Sequence, residues 1–209
     1  MSAFADARQT WDRRYEQADG LLFGPEPNAW LAAQRARFRP GMRVLCVADG
    51  EGRNALWLAG LGCEVVSFDI SPVGVARANA LAGQRGLSID ARVAGAAEWE
   101  WTHAAFDAVV AIFIQFAPPE LRERIFRGIA RTLRPGGLLV IEGYGLRQLS
   151  YRTGGPGIAA HLYRMPMLLQ AFPGWRIDAA RDVDTELAEG TAHHGRSHVL
   201  SMVLTAPPA

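Results

Sequence analysis

The chain contains no lysine, so each of its 22 basic residues is an arginine. That absence removes the Walker lysine of a phosphate-binding loop, the Schiff-base lysine and the Tyr-x-x-x-Lys pair of reductases, and with them several classes of nucleotide-using enzyme. It excludes mechanisms without proposing one, because an Ala- and Arg-rich composition also follows from coding bias. Cysteine is scarce. Cys46 and Cys63 have neither C-x-x-C spacing nor a partner histidine motif, and both read as small buried hydrophobes in strand-like surroundings. An excess of either charge is missing too. A formal net charge of +1 gives no electrostatic ground for a nucleic-acid partner. No apolar run reaches the length of a membrane span, and Asp6, Arg8 and Asp12 stand where a signal peptide needs its apolar core. The expectation is a cytoplasmic protein without membrane contact.

What is present suits one α/β domain. The 209 residues are 49% hydrophobic and 21% charged, enough to bury a sizeable core. The chain organises around Arg43 to Ala59. Val44 to Ala48 is a short apolar run of the kind buried on both faces of a parallel sheet, and Leu56, Leu58 and Ala59 recur at helical spacing. Between them lies Asp49-Gly50-Glu51-Gly52. Two glycines one residue apart let the backbone turn sharply, and the amides opening the next helix offer positive partial charge. A nucleotide or nucleoside is the natural guest.

Upstream, Phe4, Ala7, Trp11 and Tyr15 form a helical stripe, residues 19–28 a loop punctuated by Gly24, Pro25 and Pro27, and Ala29 to Phe38 a second helix ended by Pro40-Gly41. Downstream, strand and helix alternate. Cys63 to Phe68, Ser88 to Ala94, Phe106 to Ile114 and Leu138 to Tyr144 read as strands. Helices run from Ser71-Pro72 to about Arg85 and from Pro118-Pro119-Glu120 to Leu133. A segment with Thr153-Gly154-Gly155-Pro156-Gly157 is too glycine-rich to be regular, and a helix over Pro166 to Phe172 follows it. Trp175 to Val183 and His198 to Thr205 then form an antiparallel hairpin, since the link is too short for a crossover helix. The predicted fold is a doubly wound, Rossmann-like, seven-stranded and mostly parallel sheet that closes with this hairpin, its ligands at the carboxyl ends of the strands. Residues 1–40 form a helical cap, 41–145 the cofactor-binding core, and 146–209 the substrate-side segment with the hairpin.

Three motifs fall in order: Trp11-Asp12-x-x-Tyr15, Phe23-Gly24-x-Glu26-Pro27-Asn28, and Gly50-Glu51-Gly52-Arg53-Asn54. With the strand pattern they resemble the class I S-adenosylmethionine-dependent methyltransferases over nearly the whole chain, most closely the small bacterial group related to tellurite-resistance and thiopurine methyltransferases. The resemblance implies S-adenosylmethionine as cofactor and a small-molecule methyl acceptor, with a thiol or chalcogen the easiest to serve because it needs no strong base. Monomer and homodimer are both compatible. The chain departs from the family pattern at Cys46, where relatives usually carry an acid, and at Ala48, where they carry glycine.

The implied cofactor contacts are spread along the chain. Asp49 takes over part of the polar duty toward the cofactor ammonium, or the turn at Gly50 and Gly52 works through backbone alone. Arg53 and Asn54 open the helix toward the carboxylate end, with an exposed Arg53 the alternative. Asp69, ending the second strand 17 residues after Gly52, receives ribose hydroxyls, with helix capping as its other reading, and Ile70 packs on adenine. Gly95 stands where relatives place an aspartate, so Ala96, Ala97 and Glu98 must recognise adenine. Phe113 and Ile114 line the cofactor cavity or are plain core, and Gln115 ends the strand near methyl transfer. Phe23, with Trp11 and Tyr15, closes over the sulfonium through aromatic faces, Trp11 serving equally as a core staple.

The remaining readings are weaker. Trp99 and Trp101 read as cover. His193, His194 and His198 invite a metal, yet no acidic or cysteine ligand stands at matched spacing and no metal is expected. In a loose resemblance of the Glu189 to Gly195 segment to related sequences, His194 faces substrate. Substrate-side candidates are Tyr144, Arg147, Tyr151, Arg152, His161 and Tyr163, with Arg147 and Arg152 the clamps for an anionic acceptor. No catalytic residue is nominated. The rivals are a module that binds S-adenosylmethionine without turnover, suggested by Cys46 and Ala48, and a nicotinamide oxidoreductase, whose Gly-x-Gly fingerprint is also met but which finds no hydride-transfer equipment here.

Overall fold

A computed structural model describes residues 3–209, with side chains from Asp6 onward, so the Phe4 side chain of the predicted helical stripe lies outside what is described. The strands form a seven-stranded sheet in the order β3-β2-β1-β4-β5-β7-β6. They run over Arg43–Val47 (β1), Glu64–Asp69 (β2), Asp90–Val93 (β3), Phe106–Ile112 (β4), Leu133–Tyr144 (β5), Arg176–Glu189 (β6) and His193–Thr205 (β7). Helices are α1 (Ala3–Gln17), α2 (Ala29–Ala32), α3 (Arg53–Gly60), α4 (Pro72–Gln84), α5 (Pro119–Thr132), α6 (Gln148–Tyr151) and α7 (Met165–Ala171). This is the Rossmann-like sheet expected from the alternation, with the reversed strand β7 set antiparallel against β5.

The chain divides into two compact units. The first holds the residues up to Trp99 together with Glu189–Thr191, the tip between β6 and β7. Within it β1 pairs in parallel with β2, and β2 with β3. Four of the five β1 residues are buried, as a strand covered on both faces requires. Ser71 caps α4, its hydroxyl accepting from the Gly74 amide at 3.0 Å, with Pro72 in the first turn. The predicted helix from Ala29 to Phe38 is broken: α2 stops at Ala32, a 3-10 turn covers Arg35–Arg37, and Phe38 is already extended (φ −100°, ψ 136°). Pro40 disfavours helix only at Arg39, so it bars continuation past that point and does not itself set the break at Ala32.

The second unit comprises Glu100–Ala188 and Ala192–Ala209. Here β4 ends at Ile112 rather than Ile114, because Phe113 turns left-handed at φ 53°. β5 begins earlier than predicted, and its register to β4 jumps from Phe106↔Leu133 to Ala108↔Leu138, so residues 134–137 form the bulge. β6 and β7 extend well beyond the predicted hairpin, with residues 190–192 joining them.

Candidate functional site

The turn after β1 is built by side chains folded back on backbone. Asp69, 6% exposed at the end of β2, accepts the Gly50 amide on Oδ2 (3.0 Å) and the Ser71 amide on Oδ1 (2.9 Å). Burial pushes its carboxyl up to about 6, against those two hydrogen bonds, with Asp49 and Asp12 adding repulsion. Asp49 takes the Asn54 amide on Oδ1 (2.9 Å) and the Ala55 backbone N–H on Oδ2 (3.0 Å), so it satisfies the first turn of α3. Its carboxyl is likewise raised to about 6 by desolvation. Ala48 sits at φ 49°, in the left-handed region that favours glycine. A side chain on Gly50 (φ 57°) would meet the Tyr15 hydroxyl at 2.3 Å, and one on Gly52 (φ 83°) would meet Ala78 of α4 at 2.7 Å. The glycines therefore admit Tyr15 and a neighbouring helix, a use of the turn that spacing alone did not reveal.

The segment 22–29 is stapled to this turn. Glu51, buried between the two glycines, accepts the Leu22 amide (2.8 Å) and pairs with Arg77 (2.7 Å). Arg53 is buried: Nη1 donates to the Phe23 carbonyl (3.2 Å) and Nη2 to Glu189 (2.7 Å), with the guanidinium carbon 5.9 Å from the Phe23 ring centre. Asn54 Oδ1 accepts the Asn28 amide (3.0 Å), and Asn28 Oδ1 caps α2 through Leu31 (3.0 Å). Arg53 and Asn54 thus spend these polar groups within the protein, and the exposed Arg53 that the sequence also allowed is not what forms, because Glu189 and the Phe23 carbonyl hold its guanidinium inside. Phe23, half-buried, lies 6.3 Å from Trp11 and 6.4 Å from Tyr15. Asp12, between the last two in sequence, accepts from the Ser71 hydroxyl at the head of α4. Glu51 and Glu189 were missed. An acid inside a glycine turn reads as solvated, and no local signal points from Glu189 to an arginine partner 136 residues back.

Beside Asp69 the Ala94 amide bonds the Asp69 carbonyl (2.9 Å), bringing the Gly95–Trp99 turn to the end of β2. Ala96 is buried, Ala97 and Ile70 are half-buried and Glu98 is exposed. Trp99 stacks on Phe68 with ring centres 4.3 Å apart, the cover role expected of it.

In the second unit Ile114 is buried, and the Phe113 ring stacks on His193 at 4.2 Å and lies 4.7 Å from Tyr144. The Tyr144 hydroxyl and His193 Nδ1 are 2.5 Å apart. Gln115 is a structural amide: Oε1 accepts the Tyr144 N–H (2.5 Å) and Nε2 donates to the Tyr144 carbonyl (2.7 Å), continuing the ladder where β4 has ended. Arg147 pairs with Asp182 (3.2 Å) and Asp184 (3.0 Å), and Tyr144 and Tyr163 are buried, which corrects their assignment to a pocket mouth. Arg152 remains on the surface and helps line an open cleft of about 480 Å³ with Gln148, Leu149, Leu162 and residues 154–157. His198 Nδ1 accepts the Arg147 amide (3.0 Å), which leaves the ring proton on Nε2 for Asp182 (2.7 Å). His194 is exposed. Among the described residues no group of three or more His, Cys, Asp or Glu side chains could hold a metal ion.

Comparison with known proteins agrees with this fold. Among solved structures, a protein studied for the conversion of a disulfide bond into a thioacetal group during echinomycin biosynthesis superposes with a TM-score of 0.76 at 21% identity, over 96% of this chain and 91% of its own. TehB from Haemophilus influenzae gives 0.70 at 17% identity, over 95% and 66%. An uncharacterized Mycobacterium tuberculosis protein is 35% identical over 130 residues, which are 59% of this chain and 47% of that one. The chain spans about half the length of the first curated relatives it matches. A family model described as a methyltransferase domain matches residues 44–137, the stretch from β1 through the β5 bulge that contains the glycine turn and Asp69.

Proposed function

We propose that the protein is an S-adenosylmethionine-dependent methyltransferase acting on a small molecule, with a thiol or chalcogen acceptor favoured. The observation that carries the reading is Asp69: a buried carboxylate closing β2, locked to the glycine turn of β1 through the Gly50 amide. With its carboxyl near 6 it is mainly ionised at neutral pH, and each oxygen retains an acceptor lone pair beyond its internal bond, as ribose hydroxyls require. The donor set fits the nucleoside cofactor. Ile70, Ala96 and Ala97 offer apolar contacts for an adenine, Glu98 stands exposed beside them, and Phe23 with Trp11 and Tyr15 presents aromatic faces to a cation.

When bound, the cofactor supplies a methyl group already activated on a sulfonium. The chain's share is to orient and to exclude water. Asp69 fixes the ribose end, and the segment 22–29, held by Glu51, Arg53 and Asn54, covers the turn. A soft, readily ionised sulfur acceptor needs no further base. The finer likeness to tellurite-resistance and thiopurine methyltransferases is supported by the ordered motifs at Trp11, Phe23 and Gly50, and the sulfur chemistry of the echinomycin-pathway neighbour is in keeping with it.

Left-handed Ala48 favours one second reading, a module that binds the nucleoside without turnover. Titration calorimetry with S-adenosylmethionine, S-adenosylhomocysteine and NADH, followed by methyl-transfer assays on thiol, selenide and tellurite acceptors, tests both. Micromolar binding of S-adenosylmethionine and S-adenosylhomocysteine, with methyl transfer to one acceptor, is the expected result. Binding without transfer to any of them moves the assignment to the module, and NADH binding alone overturns it.

A further inference from the structure

The tip between β6 and β7 grips the segment 22–29 at both ends. Glu189 accepts Arg53 Nη2 at 2.7 Å, the Ala29 amide at 3.0 Å and Asn28 Nδ2 at 3.0 Å, and both members of the ion pair are under 10% exposed. At the other end the Thr191 amide donates to the Leu22 carbonyl at 3.1 Å. Gly190 lies against the same backbone. A Cβ there would come within 2.4 Å of the Leu22 oxygen and 2.5 Å of the Gly24 nitrogen, so only glycine allows this approach. Phe23 sits between the two grips, and its carbonyl is held by the arginine that Glu189 neutralises. Capping α2 does not account for the arrangement, because Asn28 Oδ1 already caps that four-residue helix.

We infer that Glu189 is a positioning residue for the cofactor site: the tip 189–191 is a latch that holds the Phe23 segment over the Asp49–Asn54 turn, and its release opens the segment. This rests on the reading of that turn as a nucleoside site. Opening requires the Arg53–Glu189 pair to separate and the Leu22 and Asn28 amides to leave Glu51 and Asn54, so the tip adds its hold to bonds that the turn already makes. The device needs no ligand to exist and acts on the ligand once bound.

The test is hydrogen exchange and calorimetry on full-length wild type, Glu189→Gln and Gly190→Ala, the second variant loosening the tip without touching the ion pair. Amides of residues 22–29 are expected to exchange at least tenfold faster in both variants, with Ala108–Ile112 of β4 unchanged and the Kd for S-adenosylhomocysteine raised at least tenfold. Unchanged exchange at residues 22–29 overturns the latch. So does faster exchange spread evenly through β4, which marks a merely structural role, or faster local exchange with unaltered affinity. Failure of the wild type to bind S-adenosylhomocysteine overturns the nucleoside reading, and the exchange measurement then decides the latch by itself.

Discussion

Replacing Gly50 by alanine tests whether the turn is shaped by Tyr15. The new Cβ would stand 2.3 Å from the Tyr15 oxygen and 3.1 Å from Cζ, where ordinary contact begins near 3.4 Å. Tyr15 is 2% exposed and flanked by Gly74, where a Cβ would already crowd Tyr15 Cε2 at 3.0 Å, so the ring has nowhere to swing. Two costs add: a left-handed alanine at φ 57° costs about 1–2 kcal/mol, and forcing an extra methyl into a packed site about 1–3 kcal/mol. Gly50→Ala should therefore lose about 2–5 kcal/mol, as the sum of those two ranges. Tyr15→Phe removes only the clashing oxygen. In the double variant the oxygen overlap is relieved while the tight contact with Cζ and the backbone part stay, giving a favourable coupling that falls within the about 1–3 kcal/mol of the steric part in a double-mutant cycle. Urea unfolding followed by circular dichroism at constant m-value measures all four proteins. Additive effects, or a single-variant loss below about 1 kcal/mol, refute the packing argument.

Phe23→Ala should weaken S-adenosylmethionine binding by roughly two- to thirtyfold, the equivalent of a cation–aromatic contact, while leaving the unfolding midpoint within a few degrees; calorimetry at wild-type affinity would sink it. Asp49 and Asp69 have folded pKa values near 6, above their unfolded values, so the native state binds more protons between about pH 4 and 6 and their contribution to stability falls as pH rises through that window. Comparing wild type with the Asp49→Asn, Asp69→Asn double variant in urea at pH 4.5 and pH 7 should show that loss in the wild type alone; a difference of opposite sign counts against desolvation as the cause. Gln115→Leu orphans the buried Tyr144 N–H and should cost about 1–3 kcal/mol, read from urea midpoints together with faster exchange of that amide. A neutral substitution would mean that water or backbone replaces the side chain.

The parts of the fold legible in the sequence are those written in periodicity. The apolar run at Val44 and the Ser71-Pro72 cap have local physical signatures, and both stand where expected, within a residue or two. Strand ends are less legible. Nothing around Ile112 announces that Phe113 will turn left-handed, since a bulky residue is a poor candidate for that geometry. In the candidate site, Asp69 ends β2 and is buried there, as its place after an apolar run leads one to expect. The roles of Glu51 and Glu189 have no such local signature, nor has that of Glu142 in β5. Glu142 reads as an interruption of an apolar strand, yet it is 1% exposed and paired with Arg181 at 2.7 Å, a partner on another strand that pairwise spacing cannot supply. The histidines show the same limit. His193 reads as part of a hairpin turn, and the longer β7 draws it inside to Tyr144, while His198, at the start of the predicted strand, finds in Asp182 a partner that periodicity does not name.

Gln115 has a bearing on how this protein can vary. A strand ordinarily holds its neighbour through main-chain groups, which ties the path of one to the path of the other. Here the terminal bonds to Tyr144 come from a side-chain amide, two residues past the point where the β4 backbone departs. The bend at Phe113 and the anchoring of β5 have thus become separate inheritances. Substitutions at positions 113 and 114 can reshape the end of β4 while Gln115 keeps the adjoining strand in register, so new contours at that end are open to selection without loss of the sheet.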